Sequence, residues 1–201
     1  MTFSVCSAQI VNRLNFGVGA GFTTPTGNAG NNLNTGWNLD LRGGLNVNYH
    51  IEGALDFTYD HWNLNSAALA RFGEPDGHVG FWTLTFNPVV KLAPKESRLQ
   101  PYGTAGYGLY HRNLTLTRPA VVPTLFCDPF FGFCFTEPVG VDQVVASAST
   151  LKTGFNVGGG FDLPILGRSR LKLFAEARYH RMFTTHGKDF TFVPVTFGVR
   201  W

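Results

Sequence analysis

Phe192-Val193-Pro194-Val195-Thr196-Phe197-Gly198-Val199-Arg200-Trp201 alternates without a break, and its reading decides the fold. Val193, Val195, Phe197, Val199 and Trp201 share one parity, while Pro194, Thr196, Gly198 and Arg200 share the other. Successive side chains of a strand point to opposite faces, so this is a two-faced β-strand. A closing indole suits a membrane–water boundary, where the ring rests in apolar surroundings and its N–H stays wet.

Working outward from that stretch, seven more segments carry the same period. Residues 14–24 set Phe16, Val18, Ala20 and Phe22 against Gly17, Gly19 and Gly21. After a Gly/Asn/Pro loop at 25–35, Trp37, Leu39, Leu41, Leu45, Val47 and Tyr49 alternate with Asn38, Asp40, Arg42, Asn46 and Asn48. A three-residue reversal at Asn48-Tyr49-His50 pairs Asn46 with Glu52 and Arg42 with Asp56. The third segment sets Ile51, Leu55, Phe57 and Tyr59 against Glu52, Asp56, Thr58 and Asp60, and a mostly polar loop is expected over 61–80. The fourth sets Trp82, Leu84, Phe86 and Val90 against Thr83, Thr85, Asn87 and Lys91, with a turn at 93–97. The fifth sets Ala105, Tyr107 and Leu109 against Thr104, Gly106, Gly108, Tyr110 and Arg112, and a long Pro-rich loop is expected over 117–150. The sixth sets Phe155, Val157, Phe161 and Leu163 against Lys152, Asn156, Gly158, Gly160 and Asp162. A Pro/Gly turn at 164–170 leads to the seventh, with Leu173, Ala175, Ala177 and Tyr179 against Lys172, Glu176, Arg178 and His180.

Composition agrees with strands in an apolar medium. Of 201 residues only 14% are charged, equal to the aromatic share, and glycine numbers 24. One domain is expected at this length. The net charge of +3 is spread without a basic run, which leaves no electrostatic footprint for nucleic acid. No apolar run approaches the roughly 20 residues that a membrane-crossing helix needs. A chain of this composition that entered a bilayer would have to close its strands into a barrel.

Eight alternating segments joined by alternately short and long connections resemble the small outer-membrane β-barrel family of Gram-negative-type bacteria. The similarity covers about residues 14–201, and Phe174-Ala175-Glu176-Ala177-Arg178-Tyr179-His180 before the terminal strand resembles that family's last hairpin. The resemblance implies an all-β, eight-stranded antiparallel up-and-down transmembrane barrel with short periplasmic turns and longer extracellular loops. It further implies both termini in the periplasm, contact with outer-membrane lipids and lipopolysaccharide, and recognition by the barrel-assembly machinery through the terminal strand. Residues 1–13 are set apart as an N-terminal segment, in which Cys6-Ser7-Ala8 before Gln9 fits the end of a secretory signal as well as it fits an ordinary tail.

Alternation alone leaves open a soluble barrel with an apolar calyx, and bulk decides against it. An eight-stranded lumen is only just wide enough for side chains, and Trp37, Phe57, Tyr59, Trp82, Phe86, Tyr107, Phe155, Phe161, Tyr179, Phe197 and Trp201 cannot all fit inside. The glycine-bearing polar face is therefore read as the interior. Asp40, Glu52, Asp56, Asp60, Asp162 and Glu176 then face Arg42, Lys91, Arg112, Lys152, Lys172, Arg178 and Arg200, an expected charge-paired network plugging the lumen. Trp37, Tyr49, Trp82, Tyr179 and Trp201 are expected at the lipid headgroup level.

Cys127 and Cys134 bracket the tip of the long loop, where a local disulfide is expected, and no histidine or third cysteine lies near enough to favour zinc. No cofactor motif is present. Some outer-membrane barrels are lipid-modifying enzymes; the deacylases pair a His with a Ser near the chain end, whereas His180 here is followed by Arg181 and Met182. His61, His78, His111 and His186 are read as loop residues near the outer ends. The functional expectation is a structural or adhesive barrel without catalysis, with a narrow channel or a lipid-modifying enzyme as alternatives. A surface partner is looked for at 117–150, where Phe126, Phe130, Phe131, Phe133 and Phe135 gather around the two cysteines.

Overall fold

The computed structural model describes residues 14–94, 97–165, 171–185 and 187–201. The N-terminal segment, the middle of the 93–97 turn, most of the 164–170 turn and His186 lie outside the described residues.

The strands are β1 (Leu14–Thr26), β2 (Gly36–Asn46), β3 (Ile51–Asn63), β4 (Asp76–Lys91), β5 (Gln100–Cys127), β6 (Cys134–Pro164), β7 (Lys172–Met182) and β8 (Phe190–Arg200). Two short helices, α1 (Gly27–Gly30) and α2 (Ser66–Phe72), sit in the connections after β1 and β3. Each strand pairs antiparallel with the next, and β1 pairs with β8, so the sheet closes on itself in sequence order. Closure brings Ala20 opposite Phe197 and Gly19 opposite Gly198, and it continues past the strand end in reciprocal backbone bonds between Phe16 and Trp201 at 2.9 and 3.0 Å. No backbone edge is left along the barrel wall, as a bilayer requires.

Parity fixes the orientation of every strand. Leu41, Leu55, Phe57, Phe86, Tyr107, Val157 and Phe197 are exposed on the outer wall, whereas Asp40, Arg42, Asp56, Thr83, Thr85, Asn156 and Arg178 are buried within. The inner glycines allow the walls to come close: a Cβ on Gly108 would lie 2.1 Å from the Leu84 carbonyl oxygen, and one on Gly198 2.1 Å from that of Val18. The β2–β3 register is the one that the three-residue reversal demands, with Arg42 opposite Asp56 and Asn46 opposite Glu52. Asn48 Oδ1 ties that reversal by accepting from the backbone N–H groups of His50 and Ile51 at 2.9 and 2.8 Å. Tyr49, expected to end the second strand, lies in this turn beyond β2.

Two expected loops are ordered. The segment 61–80 extends β3 to Asn63, inserts α2 and starts β4 at Asp76. The helix begins where Asn65 Oδ1 accepts from the Ala68 N–H at 2.9 Å and ends on Gly73 at φ 69°, a left-handed cap that glycine adopts without strain. The segment 117–150 is a two-stranded ribbon continuing β5 and β6, paired down to Cys127 opposite Cys134. Its register shifts between Leu116 and Thr117, leaving Val145 as the extra residue of a bulge where the ribbon leaves the barrel wall. A tilted strand of about 9–11 residues crosses a bilayer, so β5 and β6, at 28 and 31 residues, must stand well clear of it. Pro119, Pro123 and Pro138 hide the strand period here; a ribbon with two open edges accommodates their missing donors.

Candidate functional site

The barrel interior gathers most of the chemistry-bearing side chains, and it is layered. Nearest the chain ends, Glu52 pairs with Lys91 at 3.1 Å and Asp162 with Arg200 at 2.8 Å. Lys91 Nζ donates to Asn46 Oδ1, and Lys172 Nζ to Gln100 Oε1, each at 2.8 Å. Arg200 also lies over the rings of Phe174 and Tyr102, 4.4 and 4.9 Å from their centroids.

At mid-barrel, β2, β3 and β7 bring two guanidinium groups onto two carboxylates. Arg42 Nε reaches Asp56 Oδ1 at 2.5 Å, and Arg42 Nη2 reaches Glu176 Oε2 at 3.1 Å. From across the lumen Arg178 Nη1 meets Asp56 Oδ2 at 2.9 Å, while its Nε bonds Glu176 Oε1. Asn87 Nδ2 completes the Asp56 shell at 2.6 Å. The Tyr102 hydroxyl donates to Glu176 at 2.7 Å and accepts from Arg200 at 3.0 Å, which joins this layer to the one below. Burying a charge is costly unless it is paired and hydrogen-bonded; each charge of this layer has an ion pair and at least one hydrogen bond, although Arg42 Nη1 and Arg178 Nη2 have no hydrogen-bond partner among the described residues. Higher up, Asp40 accepts from the Thr58 hydroxyl at 2.9 Å. Asp60 is fully buried with no cation in salt-bridge range among the described residues.

Toward the loop end the interior turns apolar, which corrects the expectation of a wholly polar lumen. Trp62, Phe81, Phe190 and Phe192 interlock there, with ring centroids 5.1–5.9 Å apart, and Met182, Leu33, Leu64 and Ala68 pack around them. Trp62 keeps its indole N–H bonded to the Thr23 carbonyl at 3.2 Å. His180 stacks on Phe192 at 4.8 Å and meets the Tyr110 hydroxyl at 3.2 Å, so it is lodged in this core rather than beside Glu176. Parity would have found these rings: even positions of β3 and β8 and odd positions of β4 point inward, and 62, 190, 192 and 81 obey that rule.

Not every expected member joins the network. Lys152 sits at the loop-end rim, donating to Thr185 Oγ1 at 2.7 Å, and Arg112 lines the mouth of the barrel without a salt bridge among the described residues. Both share the inward parity but lie above the charged layers. Of the expected belt aromatics, Trp37 packs on Tyr59 and His61, Trp82 stacks on His111 at 5.0 Å, and Trp201 packs on Phe16. Tyr179 lies on the outer face of β7, and Tyr49 packs against His50 in its turn. His61, His78 and His111 belong to strands rather than loops, and His61 and His78 stack at 5.3 Å on the outer wall.

Beyond the barrel, Cys127 and Cys134 form a disulfide that closes the ribbon tip. Phe126 stacks on Phe135 across the strands at 6.1 Å, and Phe130 and Phe131 stand in solvent at 89% and 78% exposure. The ribbon residues 121–149 are exposed almost throughout, so the segment does not fold back over the barrel mouth.

Eight antiparallel strands closed into a ring, apolar outside and filled by paired charges and rings within, define an integral β-barrel membrane protein. The chain belongs to the outer membrane protein beta-barrel domain family, which it matches over residues 1–201, and its place is therefore the bacterial outer membrane. No curated protein matches it significantly in sequence. Among solved structures it is similar to neisserial surface protein A, with a TM-score of 0.61 at 15% identity, covering 93% of this chain and 95% of that one. A major outer membrane protein from Thermus thermophilus superposes with a TM-score of 0.55 at 12% identity, covering 94% and 98%. At these identities the likeness concerns the fold.

Proposed function

We propose that this barrel is a structural and surface-interacting protein of the outer membrane, with a closed lumen and no catalytic role. The observation that carries the reading is the filled interior: the Arg42, Asp56, Glu176 and Arg178 layer spans the lumen from β2 to β7, and Trp62, Phe81, Phe190 and Phe192 stop it a second time. Asp40, Glu52, Asp60, Asp162 and Arg200 extend the charged half toward both of its ends, and together these groups act as a plug rather than a path. The three-residue reversal between β2 and β3 on the chain-end side and the long ribbon on the other favour periplasmic termini. Lipopolysaccharide then meets the outer aromatic wall near Trp37 and Trp82, the barrel-assembly machinery reads β8, and the ribbon tip offers its exposed phenylalanines to a surface partner.

Among the described residues catalysis has one geometrical candidate, Ser149 Oγ at 2.7 Å from His111 Nε2 on the outer wall. His111 Nδ1 has no hydrogen-bond partner among the described residues, so nothing holds the ring as a triad's third member would. Conductance tests the reading. Purified protein in a planar bilayer should give no steady current steps, and reproducible ohmic steps would replace the plug with a narrow channel.

A further inference from the structure

We infer that the loop-end mouth of the barrel is a binding site for a small anionic amphiphile, a carboxylate or phosphate head on a short apolar chain. A cavity of about 400 Å³ opens there, within the size range of small-molecule sites, about 300–1,000 Å³. Its floor is the top of the aromatic core: Leu33, Leu64, Val79 and Phe190, with Ala68 of α2 at the side. Its polar lining carries three cations, Arg71, Arg112 and Lys188. None has a salt bridge among the described residues. Among the described residues Arg71 donates only to Asn32 Oδ1 and Lys188 only to Asn28 Oδ1, both at 3.3 Å.

Two details point to an anion. Arg112 lines the cavity and makes no hydrogen bond or salt bridge among the described residues, so its guanidinium is unengaged where it borders the cavity. The lining's single carboxylate, Asp189, is already engaged: it accepts from the Thr184 backbone N–H at 3.0 Å and pairs with Arg181 at 2.6 Å. Its charge is answered outside the cavity, which leaves the three cations uncompensated. An apolar floor beneath unpaired donors selects a molecule with the same two halves, since burying a tail gains hydrophobic free energy while a charged head answers the guanidinium.

This site goes beyond the closed-barrel reading and fails separately from it, because conductance says nothing of a cavity above the plug. The test is calorimetric titration of the barrel in phosphatidylcholine nanodiscs with decanoate, decyl phosphate and decanol, subtracting partition into barrel-free discs. Both anions should bind saturably, and decanol at least about tenfold more weakly, as expected when a charged hydrogen bond is lost. Arg71→Gln, Arg112→Gln and Lys188→Gln together should bring the anions down to the decanol affinity and leave decanol unchanged. Ala68→Phe should crowd the tail's place over Leu33 and Leu64 and weaken binding of all three, with folding of each variant checked by the mobility difference between unheated and boiled samples on a gel. Equal affinity for decanoate and decanol, or unchanged anion affinity in the glutamine variant, would overturn the proposal whatever Ala68→Phe does.

Discussion

Replacing Arg42 with methionine removes a cation whose side chain is 1% exposed and which serves two carboxylates at once, Asp56 and Glu176. Breaking a buried pair by deleting one partner costs about 3–5 kcal/mol, because the survivor is left charged and desolvated. Here neither survivor is wholly abandoned. Asp56 keeps Arg178 at 2.9 Å and Asn87 at 2.6 Å, and Glu176 keeps Tyr102 at 2.7 Å and Arg200 at 3.5 Å. The cost should therefore fall at the low end, about 3 kcal/mol. Asp56→Asn alone leaves Arg42 and Arg178 sharing Glu176 and should cost a similar amount. The double variant deletes one charge of each sign and leaves the buried layer balanced, so it should cost about 3 kcal/mol rather than the about 6 that independent sites would give. The assay is guanidinium unfolding in phosphatidylcholine vesicles, followed by tryptophan fluorescence. Midpoints equal to wild type in all three variants would mean that these charges stand in water, and strict additivity would mean that the pair does not act as one unit.

The remaining expectations concern the two parts of the molecule outside that layer. Trp62→Ala should cost about 3–5 kcal/mol in the same unfolding assay, since it empties the centre of a ring cluster and frees the Thr23 carbonyl; a loss below about 1 kcal/mol would mean that the loop-end interior is not packed. Unreduced protein should show the mass of a Cys127–Cys134 peptide two hydrogens lighter than its reduced form. Reducing that bond, or replacing both cysteines with serine, should leave the barrel's unfolding midpoint unchanged, because the bridge lies in the ribbon tip; a large shift would show that the ribbon packs on the barrel.

Much of the barrel is legible because parity carries it. Once Val193 and Arg200 are placed on opposite faces, the same rule orients Asp40, Asp56 and Glu176, and a three-residue reversal fixes which of them meet. What parity needs is a known strand, and that is where reading stops. Trp62 falls in a stretch whose histidine, tryptophan and asparagine residues read as a loop, although Asn65 and Gly73 are ordinary cap residues and mark α2. In the ribbon, three prolines and runs such as Val121-Val122 break the alternation, because neither face of an exposed ribbon must be apolar. The mouth cavity is assembled from α1, α2, β4, β5 and residues 188–190, and no local pattern relates residues so far apart in the chain.

The central claim is that one face of each strand meets lipid while the other is sealed inside, and single cysteines along β4 test it most directly. In a background lacking the native cysteines, Thr83→Cys, Leu84→Cys, Thr85→Cys and Phe86→Cys are reconstituted in vesicles and treated in turn with a lipid-soluble maleimide and a charged, water-soluble thiosulfonate. Thr83 and Thr85 are buried inward and Leu84 and Phe86 face out. The cysteines at 84 and 86 should react with the lipid-soluble reagent alone, and those at 83 and 85 with neither until the protein is unfolded. Rapid reaction of 83 and 85 with the charged reagent in the folded barrel would contradict the account, for it would put water where the plug should be.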